Sequence, residues 1–155
     1  MKMTPDAFFA WLAPSAVKIC NEYGLYPSVC MAQAAIESGW GEYIIGEYNI
    51  FGRKAVAGDE SIVVETEEQD RDTGEFYTIQ APFKAYHSLD EAVRDYCILL
   101  TEEPAYLPAL IFIGKSRDAY IDAMATIYAT RETYPNDIKV TISANELSLY
   151  DKAFD

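Results

Sequence analysis

Apolar side chains recur at intervals of three and four residues along most of the chain, and the places where that rhythm stops mark its joints. Thr4, Pro5 and Asp6 form a helix start, with Phe8, Phe9 and Leu12 following on one face. Pro14 is expected to break that helix and open a second one, which carries Ala16, Ile19, Cys20 and Tyr23 inward and closes at Gly24. Residues 28–38, SVCMAQAAIES, set Val29, Ala32 and Ile36 on one stripe ahead of Gly39, which predicts a buried helix. Gln33 and Glu37 share a different face of it, one turn apart.

Between Gly52 and Tyr86 the period shortens. Ile62, Val63 and Val64, and then Phe76, Tyr77, Thr78 and Ile79, are β-branched or aromatic runs on either side of the acidic stretch EEQDRDTGE, which predicts an antiparallel hairpin. Ser88 and Glu91 make a capping-box pattern for a helix bearing Leu89, Ala92, Val93, Tyr96, Cys97 and Leu100 until Pro104. Ser116 opens another, with Tyr120, Ile121, Met124, Ile127 and Tyr128 on one face, and a last helix is expected from about Pro135 to Leu149. The pattern therefore predicts an α+β fold, mostly α, with one small β lobe at about residues 57–86. No repeat or linker divides the chain, so residues 1–155 are read as a single domain.

Charge narrows the range of partners. Twenty-five acidic against twelve basic residues give a formal charge of -13, which repels phosphate backbones and anionic membrane surfaces, so no nucleic acid partner is expected. The apolar run Leu110 to Ile113 lies between Pro108 and Gly114, no run approaches the roughly 20 residues of a membrane span, and no membrane insertion is expected. The start MKMTPDAFFAWLAPSA, interrupted by Asp6 and Pro14, makes a poor secretory signal, so export is expected to use another route or a segment outside this chain. Cys20, Cys30 and Cys97 read as structural thiols. One histidine, His87, and no CxxC pair offer no zinc set, and no cofactor or metal is expected. Asp70, Asp72 and Gly74 depart from calcium-loop spacing and fit a charged hairpin turn. Catalysis would then fall to carboxylates and tyrosines.

Glu37 stands out among the carboxylates because it ends an otherwise apolar helix, beside Gly39 and Trp40. The negative end of the helix dipole and desolvation by a neighbouring indole would both raise its pKa, and a carboxylic acid kept protonated near neutrality can protonate a glycosidic oxygen. Position alone leaves open an ordinary solvated helix-end glutamate.

The surrounding string weighs further. Tyr26-Pro27-Ser28 opens the helix, Ala32-Gln33-Ala34-Ala35-Ile36-Glu37-Ser38-Gly39-Trp40-Gly41 closes it, and Asn49-Ile50-Phe51-Gly52 with Lys54 follows. Phe83-Lys84-Ala85-Tyr86 precedes the capped helix, and Tyr128-Ala129-Thr130 precedes Tyr134. In these motifs, in this order, the chain resembles the bacterial endo-β-N-acetylglucosaminidases of glycoside hydrolase family 73, the peptidoglycan-cleaving domain of many autolysins, flagellar muralytic proteins and phage lysins.

That resemblance implies a lysozyme-like α lobe, a β-hairpin lobe and a glycan groove between them, the whole chain forming one glucosaminidase catalytic domain. It implies hydrolysis of the β-1,4 bond between N-acetylglucosamine and N-acetylmuramic acid at the bacterial cell wall, outside the cell, in the periplasm or delivered by a phage. Peptidoglycan strands are the implied partner, and a monomer is expected. Glu37 falls on the family's acid, and Thr66-Glu67 on the Thr-Glu context of its second carboxylate. The aromatic residue that commonly follows is replaced by Glu68 and Gln69, so Glu60, Glu65 and Glu68 stay open as fallbacks, as does a charge-protected hairpin edge. Substrate contacts are expected from Gln33, Trp40, Asn49, Phe51, Tyr86, Tyr128 and Tyr134. Core packing remains open for Trp40, Tyr86 and Tyr128, surface exposure for Tyr134, and a plain turn for Asn49 and Phe51. Arg131-Glu132-Thr133 stands where the family often has an Asp-Pro step. The alternatives are a lytic transglycosylase or muramidase on the same scaffold, or a glycan-binding or assembly module without turnover.

Overall fold

The computed structural model describes residues 3–155. Six helices and a two-stranded antiparallel sheet follow in the order α1 (Pro5–Tyr23), α2 (Pro27–Ser38), β1 (Ser61–Gln69), β2 (Phe76–Lys84), α3 (Leu89–Glu102), α4 (Leu107–Leu110), α5 (Arg117–Tyr128) and α6 (Tyr134–Ala144). Among the described residues no helix is long and apolar enough to cross a membrane.

α2 runs through the middle of the helical lobe, with every residue from Pro27 to Ala35 buried; α1, α6 and the 3-10 turn Leu147–Tyr150 pack on it, while α3 packs on α1. Its position follows from its small residues: Ala32, Ala34 and Ala35 let neighbouring helices close in around it. Cys20, Cys30 and Cys97 lie buried as free thiols in the same core, with Cys20 Sγ 3.9 Å from Cys97 Sγ.

Two expectations need correction. α1 does not break at Pro14 but continues through it. Pro14 and Ala10 are both exposed, so the carbonyl that loses its helical partner at Pro14 can bond water, while Phe8, Leu12, Ala16 and Ile19 keep the buried face continuous. The last helix ends at Ala144 rather than Leu149. There Asn145 Nδ2 bonds the Thr141 carbonyl at 2.9 Å, Glu146 takes a left-handed turn at φ 53°, and a 3-10 turn over Leu147–Tyr150 buries Leu147.

A second turn matters for the site. Gly39 adopts φ 57° at the end of α2, a left-handed conformation that favours glycine, and a Cβ there would meet the Tyr43 ring at 2.6 Å and push it aside. Trp40 follows at φ 59° and swings its indole back against Phe8 and Phe9, with ring centroids at 6.3 and 5.4 Å.

The hairpin pairs in plain register, Ser61 with Lys84, Glu65 with Gln80 and Glu67 with Thr78. At its tip Asp70 Oδ1 accepts the N–H groups of Asp72 and Thr73, which spends that oxygen on the turn. At its base Arg53 and Ala55 extend the pairing along β2: Lys84 N–H donates to the Arg53 carbonyl and Ala55 N–H to that of Pro82.

Candidate active site

Glu37 sits in the last turn of α2 at the mouth of a recess of about 350 Å³, walled by Phe51, Arg53, Leu99, Tyr106 and Tyr128. It is exposed on its outer side, while the recess walls desolvate it on the other, and this desolvation raises its pKa. A hydrogen bond from the Tyr134 hydroxyl and the nearby Arg131 charge pull the other way, and desolvation outweighs them. The upward direction agrees with the sequence reading, while one assigned cause is corrected. The indole of Trp40 lies on the Phe8 and Phe9 side; tyrosines and Phe51 form the walls instead.

Behind the carboxylate runs a buried relay whose direction is set by its donors. Tyr96 donates its hydroxyl proton to Gln33 Oε1, Gln33 Nε2 donates to the Tyr134 oxygen at 3.2 Å, and Tyr134 donates to Glu37 Oε1 at 2.8 Å. Gln33, Tyr96 and Tyr134 are all buried, so each polar atom in the relay depends on the next. Desolvation, with the Glu37 carboxylate beside it, pushes the Tyr134 pKa well up, so its hydroxyl stays a donor at any working pH. Tyr128 stacks on Tyr134 with centroids 6.0 Å apart and planes 8° apart, and Arg131 lies over the other ring at 5.3 Å while pairing with Asp137 at 3.0 Å.

The expected contact residues therefore divide. Phe51 and Tyr128 wall the recess, Phe51 held by stacking on Tyr96 at 4.5 Å. Gln33 and Tyr134 act behind Glu37, and the surface position left open for Tyr134 is corrected, because its ring is packed into the core. Asn49 is a buried clamp: its Nδ2 donates to the carbonyls of Arg53 and Lys84, both at 2.9 Å, and its Oδ1 accepts from Arg53 N–H. Trp40 is not brought to Glu37. Tyr86 donates to Asp95 beside a neighbouring hollow that also contains Glu60 and His87.

Glu67 is exposed on β1. Strand alternation and the pairing register put Ser61, Glu65, Glu67 and Lys84 on one face of the hairpin, and the Arg53 pairing adds Arg53 to that face. The hairpin face bearing Glu67 is thus the one that carries a wall of the Glu37 recess at its base. Glu67 lies about 20 Å further along the strand than Ser61.

Arg53, Tyr106 and Tyr96 are site residues that sequence reading did not single out. Tyr96 was visible only as one of the apolar positions of α3, and Arg53 only as a neighbour of the Asn-Ile-Phe-Gly motif. A larger concavity, about 570 Å³, lies between α1 and the C-terminal turns against Val17, Asn21 and Leu149, apart from the Glu37 recess.

A family model described as mannosyl-glycoprotein endo-beta-N-acetylglucosaminidase matches residues 13–147. The catalytic domain of the autolysin Auto from Listeria monocytogenes superposes with a TM-score of 0.82 at 31% identity, covering 97% of this chain and 91% of that one. A truncated glycoside hydrolase domain of Salmonella typhimurium FlgJ superposes with a TM-score of 0.74 at 31% identity, covering 92% and 98%. Among curated proteins, an Enterococcus faecalis autolysin is 32% identical over 96% of this chain, and a Lactococcus lactis protein named "Probable N-acetylmuramidase" is 31% identical over the same share. The chain spans 21% and 35% of their respective lengths.

Proposed function

Because this chain belongs to the glucosaminidase family of glycoside hydrolases, whose model covers residues 13–147, we propose that it hydrolyses peptidoglycan, with Glu37 as the general acid. The observation that carries the reading is the tether on that one acid. Tyr134 occupies Oε1, so the proton to be donated sits on Oε2, and the buried Gln33 and Tyr96 keep Tyr134 from turning away. When the proton leaves, the same Tyr134 hydrogen bond stabilises the new carboxylate, while desolvation favours the acid in the resting state.

The bond we assign is the β-1,4 link between N-acetylglucosamine and N-acetylmuramic acid. Glu67 supplies the second carboxylate, because it shares a hairpin face with Arg53 of the recess wall. Its place far along β1 means that the hairpin must curl over the bound glycan to bring it near. It then either activates water or stabilises charge while the substrate's 2-acetamido group attacks, and the anomeric configuration of the first product separates the two.

The cell wall is the implied place of action, in keeping with relatives named autolysin and peptidoglycan hydrolase. The name N-acetylmuramidase among the relatives keeps one rival in view. Product ends of digested sacculi decide between them: reduced N-acetylglucosamine supports our reading, reduced muramic acid a muramidase, and anhydro-muramic acid a transglycosylase. Glu37→Gln should abolish clearing of purified walls, and undiminished clearing would remove Glu37 from the mechanism.

A further inference from the structure

Arg53 is held more firmly than a surface cation needs to be. Asn49 bonds both its backbone N–H and its carbonyl, at 3.0 and 2.9 Å, and its Nε donates to Asp95 Oδ2 at 3.3 Å. Asp95 is well supplied without it, since Lys84 Nζ stands 3.1 Å from Oδ1 and the Tyr86 hydroxyl donates to Oδ2. The Asp95 contact uses one N–H of the guanidinium. Its two Nη groups make no well-aligned hydrogen bond among the described residues, although the Tyr86 hydroxyl stands beside the guanidinium and the side chain, only 27% exposed, lines the recess beside Glu37.

A guanidinium fixed through Nε, with no well-aligned partner on its forked Nη edge, is preset for two parallel hydrogen bonds to a carboxylate. The other cation near Glu37, Arg131, is already committed to Asp137 through Nε and Nη2 and to the Tyr134 face. The chain's charge of -13 repels anions at long range, so any capture of an anionic group has to be local, by a cation of this kind.

We propose that Arg53 is a specificity-determining residue: its Nη edge takes a carboxylate carried by the sugar bound beside Glu37, so that carboxylate-bearing glycan is preferred over the same polymer with that group neutralised. The inference rests on the hydrolase reading above. N-acetylmuramic acid differs from N-acetylglucosamine by a lactyl ether that ends in a carboxyl group, and this group is free in peptide-stripped strands and amide-linked to a peptide in intact ones. The peptide brings carboxylates of its own. Both sources offer Arg53 the same chemistry.

The experiment compares kcat/KM on four substrates: peptide-stripped glycan strands, peptide-bearing strands, and each of these with its carboxyl groups capped as methylamides. The wild-type protein should favour the uncapped form of at least one pair by about tenfold or more. Arg53→Gln should bring that ratio to within about twofold of unity, mainly through KM, and Arg53→Lys should keep part of it. Preference within the stripped pair identifies the lactyl carboxylate, and preference within the peptide-bearing pair alone identifies a peptide carboxylate. A wild-type ratio near unity in both pairs overturns the proposal. So does an Arg53→Gln protein that keeps the full ratio, or one that loses equally on capped and uncapped strands. A wild-type protein that cleaves none of the four fails the hydrolase reading itself, a result distinct from cleavage without discrimination.

Discussion

Glu37 and Tyr134 make a pair whose balance can be read in pH. The Tyr134 hydrogen bond and the Arg131 charge both lower the Glu37 pKa against desolvation. Removing either should therefore raise it and move the alkaline limb of the kcat/KM profile upward, since activity needs the protonated acid. Tyr134→Phe and Arg131→Gln are both expected to shift that limb to higher pH, checked on a soluble glycan substrate; a downward shift in either would contradict the assignment. Stability carries the same sign. A folded pKa above the ordinary 4.5 means that stability is complete below that value and declines as pH rises through the folded one. Glu37→Gln cannot ionise and escapes the decline, so its melting temperature should gain on the wild type as pH increases. The proposed acid was legible as a lone carboxylate at the end of an alanine-rich helix. Its partners were not, because Gln33, Tyr96 and Tyr134 meet only when α2, α3 and α6 pack, across separations of 63 and 101 residues.

Among the elements, both ends of α2 are sensitive. Gly39→Ala places a methyl 2.6 Å from the Tyr43 ring at φ 57°, and about 1–3 kcal/mol of stability should be lost in urea unfolding. The far end of the same helix is anchored by Asp151, which accepts Ser28 N–H at 2.9 Å and the Ser28 hydroxyl, and pairs with Arg117 at 2.9 Å. Asp151→Ala leaves the buried Ser28 N–H and hydroxyl at the helix N-terminus without their acceptor and Arg117 with Ser148 alone, and about 3 kcal/mol should be lost in the same measurement. Caps and stops such as Ser88, Gly24 and Gly39 could be read directly, because each acts on its own few residues. Pro14 could not: whether a proline ends a helix depends on whether its lost hydrogen bond faces water and whether the apolar stripe continues, and both are settled by packing against α2 and α3.

Across the whole molecule, the charge of -13 opposes approach to anionic wall polymers. Screening shortens that repulsion from about 30 Å at 0.01 M salt to about 8 Å at 0.15 M, so clearing of anionic walls should speed up over this range. A rate that falls steadily from the lowest salt would contradict it. The amino-acid sequence by itself determined the helical lobe, the hairpin, the candidate acid and the family, since all of these rest on short-range periodicity or on a contiguous motif. Tertiary structure alone decided which of the named aromatics serve the recess: Phe51, Tyr128 and Tyr134 gather at Glu37, whereas Trp40 turns to Phe8 and Phe9. It also decided that Arg53, held through Nε by Asp95, lines the same recess. The reason is that a side chain's direction at a joint follows from one or two backbone angles and from the neighbours that close around it, and neither is written in the spacing of residue types along the chain.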